Sequence, residues 1–230
     1  MRPGTILLTG TDTGVGKTVL TALLVRYLRE RGVNAVALKP VCSGGRDDAR
    51  LLHTASGGEP TLDEVNPWHF RAPVAPSLAA RRERKRVRLA DVLAQVRRMQ
   101  KRFDVLLVEG AGGLLSPLGE DFNSRDLIES LSATPVVVCP NRLGAVNQVL
   151  LTLEALSRDA RDKARVVLVS APRPDASGKT NAGLLAEHFD GKRIFRLPWL
   201  GGGFEASRGL KNLRIRGAVE KLASTFQIFL

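Results

Sequence analysis

The stretch TGTDTGVGKTVL, Thr9 to Leu20, decides how the rest of the chain is interpreted. It joins an apolar segment, TILLTG, to a helix-like segment and contains Gly-Lys-Thr. Phosphate-binding loops commonly read G-x-x-x-x-G-K-[ST]. Here Gly10 and Gly16 enclose five residues, one more than that spacing allows. Gly-Lys-Thr between a strand and a helix still predicts a phosphate-binding loop, because backbone N–H groups and the helix N-terminus can face one anion.

Apolar segments and helix-like segments alternate along the whole chain. The predicted strands are TILLTG, VNAVALKPV, FDVLLVEGAGG, TPVVVCPN, ARVVLVSAP and RIFRLPWL. Helices are predicted for TVLTALLVRYLRERG, which Gly32 ends, for GAVNQVLLTLEALSRD, and from about Asn181 to Phe189. We expect an irregular stretch from Cys42 to Pro76 and a loop after Leu200. Apolar strands joined by helices predict an α/β fold, a P-loop NTPase with a mostly parallel sheet and helices on both faces, as one domain over residues 1–230.

The chain has 230 residues and a formal net charge of +12. Its densest basic run, Arg81 to Arg88, contains no aromatic residue that could stack on a base, so we expect a solvated helix face and consider nucleic-acid binding the less favoured alternative. Cys42 and Cys139 have no spacing typical of metal sites, which favours reduced thiols. No apolar run approaches the length of a membrane span, and no signal peptide is recognised, so we expect a cytoplasmic protein.

Ligands of such sheets bind at the carboxyl ends of the strands. GTDTGVGKT, KPVCSGG, EGAGG and PNRLG fall there, and we expect them to converge. Lys17 would contact the β- and γ-phosphates, and Thr18 would offer its hydroxyl to Mg²⁺. Glu109 ends an apolar strand, where a carboxylate needs a cation nearby. Lys39 ends another strand and is expected to point into the site, while Asp47 and Asp48 are further candidate acids.

Six motifs resemble, in order, those of the dethiobiotin synthetases. They are GTDTGVGKT, KPVCSG, EVNPWHF, VEGAGGLLSPL, LGAVN and LPWL, and the resemblance runs from about Thr5 to Leu200. The first loop alone also resembles cobyrinic acid synthases. The resemblance implies that ATP, Mg²⁺ and CO₂ convert 7,8-diaminononanoate into dethiobiotin in biotin synthesis, through a carbamate and a carbamic-phosphoric mixed anhydride.

The resemblance also implies roles for individual residues. Lys17 and Lys39 would be catalytic, and Thr18, Asp48 and Glu109 would hold the metal, with Asp48 preferred over Asp47. Ser43, Leu143, Gly144 and Asn147 would contact the substrate. Gly144 to Asn147 would begin a helix whose N-terminus binds the substrate carboxylate and which the partner subunit of a homodimer supplies in similar enzymes. The nucleotide would be bound by Thr13, Gly14, Val15, Gly16, Lys17, Thr18, Val19, Glu109, Gly110, Ala111, Gly112, Ser170, Ala171, Pro198, Trp199 and Leu200.

Two features depart from the family pattern. The segment between Gly44 and Asp48 is shorter than in several relatives. Ser170 and Ala171 stand where some members have an Asn-Asp pair that reads adenine, and they cannot offer the same donors and acceptors. We therefore expect that nucleoside triphosphates other than ATP could be accepted.

Other protein classes share the first loop. A ParA-like ATPase would have the same fold and bind DNA, but such proteins usually carry an extra lysine early in the loop, where this chain has Asp12. Lys39 and LPWL also argue against that class. A relative that binds nucleotide without turnover stays open, although the two lysines and the acids disfavour it. An amidotransferase-linked synthase would need a glutaminase domain, for which 230 residues leave no room.

Overall fold

The computed structural model describes residues 4–199 and 205–226. The strands in these ranges are β1 (Gly4–Gly10), β2 (Ala35–Leu38), β3 (Val41–Ser43), β4 (Trp68–Phe70), β5 (Val105–Gly113), β6 (Thr134–Pro140), β7 (Arg165–Val169) and β8 (Ile194–Leu197). The helices are α1 (Lys17–Glu30), α2 (Asp47–Ala55), α3 (Leu62–Val65), α4 (Pro76–Arg82), α5 (Leu89–Gln100), α6 (Ser124–Leu131), α7 (Ala145–Glu154), α8 (Arg158–Lys163), α9 (Asn181–Ala186), α10 (Ala206–Leu210) and α11 (Leu213–Ala223). Short 3₁₀ turns cover Ala176–Lys179, Gly191–Arg193 and Ser224–Phe226.

Six strands form the main sheet in the order β2-β5-β1-β6-β7-β8. Every neighbouring pair in it is parallel. The strand that leads into the Gly-Lys-Thr loop, β1, lies between β5 and β6, so the loop starts near the middle of the sheet. This arrangement confirms the predicted α/β fold of the P-loop NTPase type.

Hydrophobic cores cover both faces of the sheet. Along β1, Leu7 packs with the core on one face, while Ile6 and Leu8 pack with the core on the other, as the alternation of side chains in a strand requires. Buried residues of α5, α6, α7 and α9 fill the first core, and those of α1, α2, α10 and α11 fill the second. The prediction of helices on both faces is confirmed.

The region after β2 differs from the prediction in two ways. The segment VNAVALKPV is not one strand, because the chain leaves the main sheet after Leu38 and β3 pairs with β4 in a separate two-stranded parallel sheet. Backbone bonds from Lys39 N–H to the Val65 carbonyl and from Trp68 N–H to the Pro40 carbonyl redirect it. The stretch from Cys42 to Pro76 is also not irregular, since it contains β4, α2 and α3.

Two further expectations need correction. The run Arg81 to Arg88 is exposed apart from Val87 and the half-buried Glu83, but only its first two residues are helical. The rest is a connection to α5 and not a helix face. Past Leu200, α10 occupies part of the predicted loop, because Ala206 and Leu210 are buried and α10 packs against α1 and α11. Within the described ranges, no helix is long and apolar enough to cross a membrane.

Candidate active site

A cavity of about 760 Å³ opens at the carboxyl ends of β1, β3 and β5. That volume is typical of small-molecule sites. Three of the four stretches expected to converge contribute to its wall, whereas PNRLG does not. The lining residues are Thr13, Gly14, Gly16, Lys17, Thr18, Val19, Lys39, Cys42, Ser43, Gly45, Asp48, Pro73, Val74, Ala75, Pro76, Ala111, Gly112, Ser116 and Pro117.

The loop between β1 and α1 carries Lys17 into this cavity. Gly16 precedes the helix with φ at +100°, a left-handed conformation that glycine adopts without steric cost. The Lys17 ammonium group donates a hydrogen bond of 2.7 Å to the Asp12 carbonyl, across the loop. Burial lowers the pKa of Lys17 from 10.5 to about 8, although the Glu109 carboxylate opposes that change. The loop therefore holds a buried ammonium group that an anionic ligand would stabilise.

Glu109 lies directly beside the start of this loop. It pairs in register with Leu8 of β1, and the register then shifts, so that Gly10 pairs with Gly113. The irregularity places the glycines of EGAGG along the loop, and the backbone of Gly113 approaches Gly10 and Thr11 closely. The carboxylate thus enters the site from the strand next to β1.

Lys39 joins the acidic residues of the site. Its ammonium group donates to Glu109 Oε1 at 2.8 Å and also to Asp48. The Thr18 hydroxyl donates to the same Glu109 oxygen at 2.7 Å. Burial alone would lower the pKa of Lys39, but the charges of Glu109 and Asp48 outweigh it and raise the pKa above its ordinary value. Lys39 is therefore a permanent cation beside two carboxylates.

Thr18, Asp48 and Glu109 also fit a divalent cation. Glu109 Oε2 is buried and has no hydrogen-bond partner, so one carboxylate oxygen is available for a ligand. Hydroxyl and carboxylate oxygens are the ligands that Mg²⁺ prefers, together with phosphate and water. Asp48 lines the cavity, whereas Asp47 pairs with Arg50 at 3.4 Å and its side chain is 98% exposed. The described residues contain no cluster of three His, Cys, Asp or Glu side chains, so most ligands of such an ion would come from a nucleotide and water.

The far wall of the cavity is formed by the segment from Pro73 to Pro76 and by Ser43. The Ser43 hydroxyl donates to the Val74 carbonyl at 2.6 Å, which ties β3 to this wall. The cavity therefore combines this largely apolar wall with the charged side chains of Lys17, Lys39 and Asp48.

Cys42 and Cys139 are free, buried thiols.

Comparison with known proteins identifies the family. A sequence model of the AAA domain matches residues 4–202. The ATP-dependent dethiobiotin synthetase BioD of Anaeromyxobacter dehalogenans (strain 2CP-C) is 41% identical over 199 residues, which cover 84% of this chain and 89% of that protein. The chain belongs to the dethiobiotin synthetase family. The synthetases of Akkermansia muciniphila and Methanococcus vannielii are each 37% identical and cover 80% and 66% of this chain, and 87% and 72% of their own lengths.

A solved structure shares the fold. The signal recognition particle receptor FtsY from Elizabethkingia anophelis superposes with a TM-score of 0.50 at 16% identity, covering 98% of this chain and 66% of that one. This similarity concerns the arrangement of the sheet and helices alone.

Several residues that the resemblance to dethiobiotin synthetases assigned to ligands lie outside the cavity wall. Val15, Glu109 and Gly110 are buried and do not line the cavity. Ser170 and Ala171 follow β7, whose last residue Val169 lies 3.4 Å from the point where a Gly16 side chain would begin. Pro198 is half-buried, Trp199 is half-exposed, and Leu200 lies outside the described residues.

Three of the residues assigned to the substrate do not line the cavity of their own chain. Leu143, Gly144 and Asn147 are exposed at the start of α7 and do not line it. Gly144 has φ at +88° and precedes the first turn of this helix. A dethiobiotin synthetase built from one chain would therefore lack them at this cavity.

A buried asparagine supports the backbone of Lys39, and the residue pattern alone did not predict it. Asn66 is fully buried and its amide donates to the Lys39 carbonyl at 2.6 Å, while its oxygen accepts from Arg46. The asparagine stands in the dethiobiotin synthetase motif EVNPWHF, which was the only signal for it. Ser116 was also not predicted as a site residue. It lines the cavity, and its hydroxyl accepts a hydrogen bond from the Gly113 N–H.

Proposed function

We propose that this protein converts 7,8-diaminononanoate, CO₂ and ATP into dethiobiotin, ADP and phosphate. One observation carries the proposal: Lys39 is held between Glu109 and Asp48 in the same cavity as the Gly-Lys-Thr loop. A loop alone would support any nucleotide hydrolase. A second buried cation beside it supports a reaction in which another anion must approach the γ-phosphate.

The loop and α1 would bind the triphosphate. Backbone N–H groups from Gly14 to Thr18 and the start of α1 would form an anion site, to which Lys17 would add a charge. To contact phosphate, the Lys17 ammonium group must leave the Asp12 carbonyl that it now contacts at 2.7 Å. Val19, Ala111 and Gly112 would form the adjoining walls of the nucleotide site.

Thr18, Asp48 and Glu109 would hold Mg²⁺, with the free Glu109 Oε2 as one ligand. When bound, the ion supplies positive charge to the phosphate oxygens.

Lys17 and Lys39 would act on the reacting atoms by charge and position. An amine of the substrate takes up CO₂ to give a carbamate and releases a proton. A carbamate oxygen attacks the γ-phosphorus and ADP leaves, which gives the mixed anhydride. The second amine then attacks the carbonyl carbon, closes the urea ring and expels phosphate. Lys39 would neutralise the charge of the carbamate and Lys17 that of the triphosphate. This would reduce the electrostatic repulsion between the carbamate oxygen and the γ-phosphate during the attack.

We further propose that two copies of the chain form a homodimer in which α7 of one subunit reaches the cavity of the other. Leu143, in the loop before α7, and Leu151, on α7, are 76% and 63% exposed, and neither lines the cavity of its own chain. Exposed leucines on one such segment favour a protein contact over solvent. The first turn of α7 and Asn147 would then bind the substrate carboxylate at the end of an apolar wall formed by Val74 and its neighbours.

The test is a reaction of the purified protein with ATP, Mg²⁺ and bicarbonate, with and without diaminononanoate. We expect phosphate release that depends on the diamine, with dethiobiotin detected by mass spectrometry. A rate of phosphate release that does not depend on the diamine and increases when DNA is added would refute the proposal and favour a ParA-like ATPase. Absence of any turnover despite nucleotide binding would favour a relative that only binds.

A further inference from the structure

The segment after β7 contacts the loop before α7 through Asp175. Its carboxylate oxygen Oδ2 accepts a 2.8 Å hydrogen bond from the Leu143 N–H. The other oxygen accepts from the Ser177 hydroxyl and the Gly178 N–H, so Asp175 also begins the 3₁₀ turn at Ala176–Lys179. One carboxylate therefore fixes both its own turn and a loop more than 30 residues away.

Two buried asparagines join the same segments. Asn141 and Asn181 are 6% and 5% exposed, and the Asn181 amide donates to the Asn141 side-chain oxygen and to the Arg142 carbonyl, both at 3.0 Å. The Asn141 amide in turn donates to the Gly178 carbonyl at 2.8 Å. Asp175 therefore belongs to a set of hydrogen bonds that join the segment after β7 to the loop before α7. Its bond to Leu143 is the one that lies next to Gly144 along the chain.

The position of Leu143 gives the Asp175 bond a functional consequence. Leu143 directly precedes Gly144, which begins α7 in a left-handed conformation and offers no side-chain cap. The direction of the first N–H groups of α7 therefore depends on how the loop from Arg142 to Gly144 is held. A freed loop would let those groups turn away from a ligand, because uncapped helix ends fray.

We propose that Asp175 is a positioning residue for the substrate carboxylate, holding the loop at Leu143 so that the start of α7 faces that group. This inference rests on the proposed function, since it assumes a substrate with a carboxylate at α7. Asp175 acts through the Leu143 N–H and needs no contact with the substrate. Its role depends on accepting a hydrogen bond and not on its charge, which would repel a second carboxylate.

Two substitutions of Asp175 separate the loss of its charge from the loss of its hydrogen bonds. Asp175→Asn keeps an acceptor for Leu143 and removes the charge, whereas Asp175→Ala removes both. We expect Asp175→Ala to raise KM for diaminononanoate about tenfold, the effect of one hydrogen bond, and Asp175→Asn to stay within about threefold of the wild type. kcat at saturating diamine and the Kd of ADP should not change in either variant.

Asp190 supplies a matched control. It also begins a 3₁₀ turn, at Gly191–Arg193, and its carboxylate accepts from the Lys192 N–H, but it makes no bond to the loop before α7. Asp190→Ala should leave KM unchanged. The proposal would be overturned if Asp175→Ala had the KM of the wild type. It would also be overturned if KM rose equally in Asp190→Ala, or if Asp175→Asn had a KM as high as that of Asp175→Ala.

Hydrogen exchange separates this inference from the proposed function. The Leu143 amide should exchange faster in Asp175→Ala than in the wild type or in Asp190→Ala, whatever the reaction. If the wild type gives no diamine-dependent turnover, the proposed function fails and the positioning role falls with it. If turnover is present and the Leu143 amide exchanges equally in all three proteins, the proposed function stands and only the role of Asp175 is lost.

Discussion

The Nζ atom of Lys39 lies 2.8 Å from Oε1 of Glu109, and the two side chains are only 6% and 0% exposed. Removing one partner of such a pair leaves the other charge buried. We expect Lys39→Met to lower the free energy of unfolding by roughly 3 kcal/mol and to abolish turnover. Lys39→Met combined with Glu109→Gln should recover most of the stability and none of the activity. Urea unfolding at pH 7 measures this, with Arg50→Met, which breaks an exposed pair, as control. A single Lys39→Met variant as stable as that control would contradict the expectation.

Nucleotide affinity should depend on the protonation of Lys17. The charged ammonium group binds phosphate, and its pKa in the free protein is about 8. Below that pH the group is already charged, so affinity should be flat. Above it a proton must be taken up on binding, so the Kd of ADP should rise by up to about tenfold per pH unit. Calorimetry with ADP and EDTA from pH 7 to 9.5 measures the slope, and Lys17→Met should remove it. A slope retained in that variant would assign the effect to another group.

Two glycines of β1 offer a matched test of how tightly the loop is packed. A side chain on Gly10 would begin 2.7 Å from Val15 Cγ2 and 3.0 Å from both the Asp12 carbonyl and Lys17 Nζ, whereas one on Gly4 meets nothing within 4 Å. We expect Gly10→Ala to lower Tm and weaken ADP binding at least about tenfold, since overpacking must shift the loop. Gly4→Ala should change neither by more than experimental scatter. Equal behaviour of the two variants in thermal unfolding and ADP titration would show that the loop accommodates a methyl group.

Mixing two inactive variants tests the proposed homodimer. Lys17→Met disables the cavity, and Asn147→Asp places a negative charge in the first turn of α7, where it should repel the substrate carboxylate. In a symmetric dimer, one of the two sites of a mixed pair combines an intact cavity with an intact α7. Activity of an equimolar mixture should therefore recover to about a quarter of the wild type after subunit exchange. Additive, near-zero activity would mean that each chain completes its own site.

Nucleotide selectivity should be weak. Ser170 and Ala171 follow β7 next to the loop and carry no side-chain amide, so a base edge would find no matched donor and acceptor pair there. We expect kcat/KM for CTP and GTP within about tenfold of that for ATP, because strong rejection requires polar groups left unpaired by the wrong base. Ser170→Asn combined with Ala171→Asp, which restores the pair, should increase the preference for ATP. Competition assays with the three nucleotides decide this, and a preference for ATP above a hundredfold in the wild type would contradict it.

The sequence was most informative where strong local chemistry coincided with strand ends. Gly-Lys-Thr before a helix and Glu109 at the end of an apolar strand were expected to converge, and the structure brings them together because β1 and β5 are parallel neighbours. The direction of Lys39 was also predicted, because it directly follows the apolar segment AVAL and precedes Pro40. These features depend on short segments, so that local patterns were sufficient.

Features that depend on distant segments could not be predicted in this way. The strands β3 and β4 have three residues each, too few to show alternation, and their pairing depends on how Pro40 and Trp68 meet. The bond from Leu143 to Asp175 joins a backbone N–H to a side chain in another loop, and no sequence pattern reports such a contact. That no residue of α7 lines the cavity of its own chain likewise follows from the three-dimensional arrangement alone.

The bond from the Lys17 ammonium group to the Asp12 carbonyl has a consequence for the rate of product release. A nucleotide that binds must replace this internal acceptor, so it exchanges one hydrogen bond for another and does not simply add one. When a phosphate group dissociates, the Lys17 ammonium group can form its hydrogen bond to the Asp12 carbonyl again. In the proposed reaction the loop would therefore compete with its own product, which would lower the affinity for ADP and ATP alike and shorten the time for which a spent nucleotide occupies the cavity.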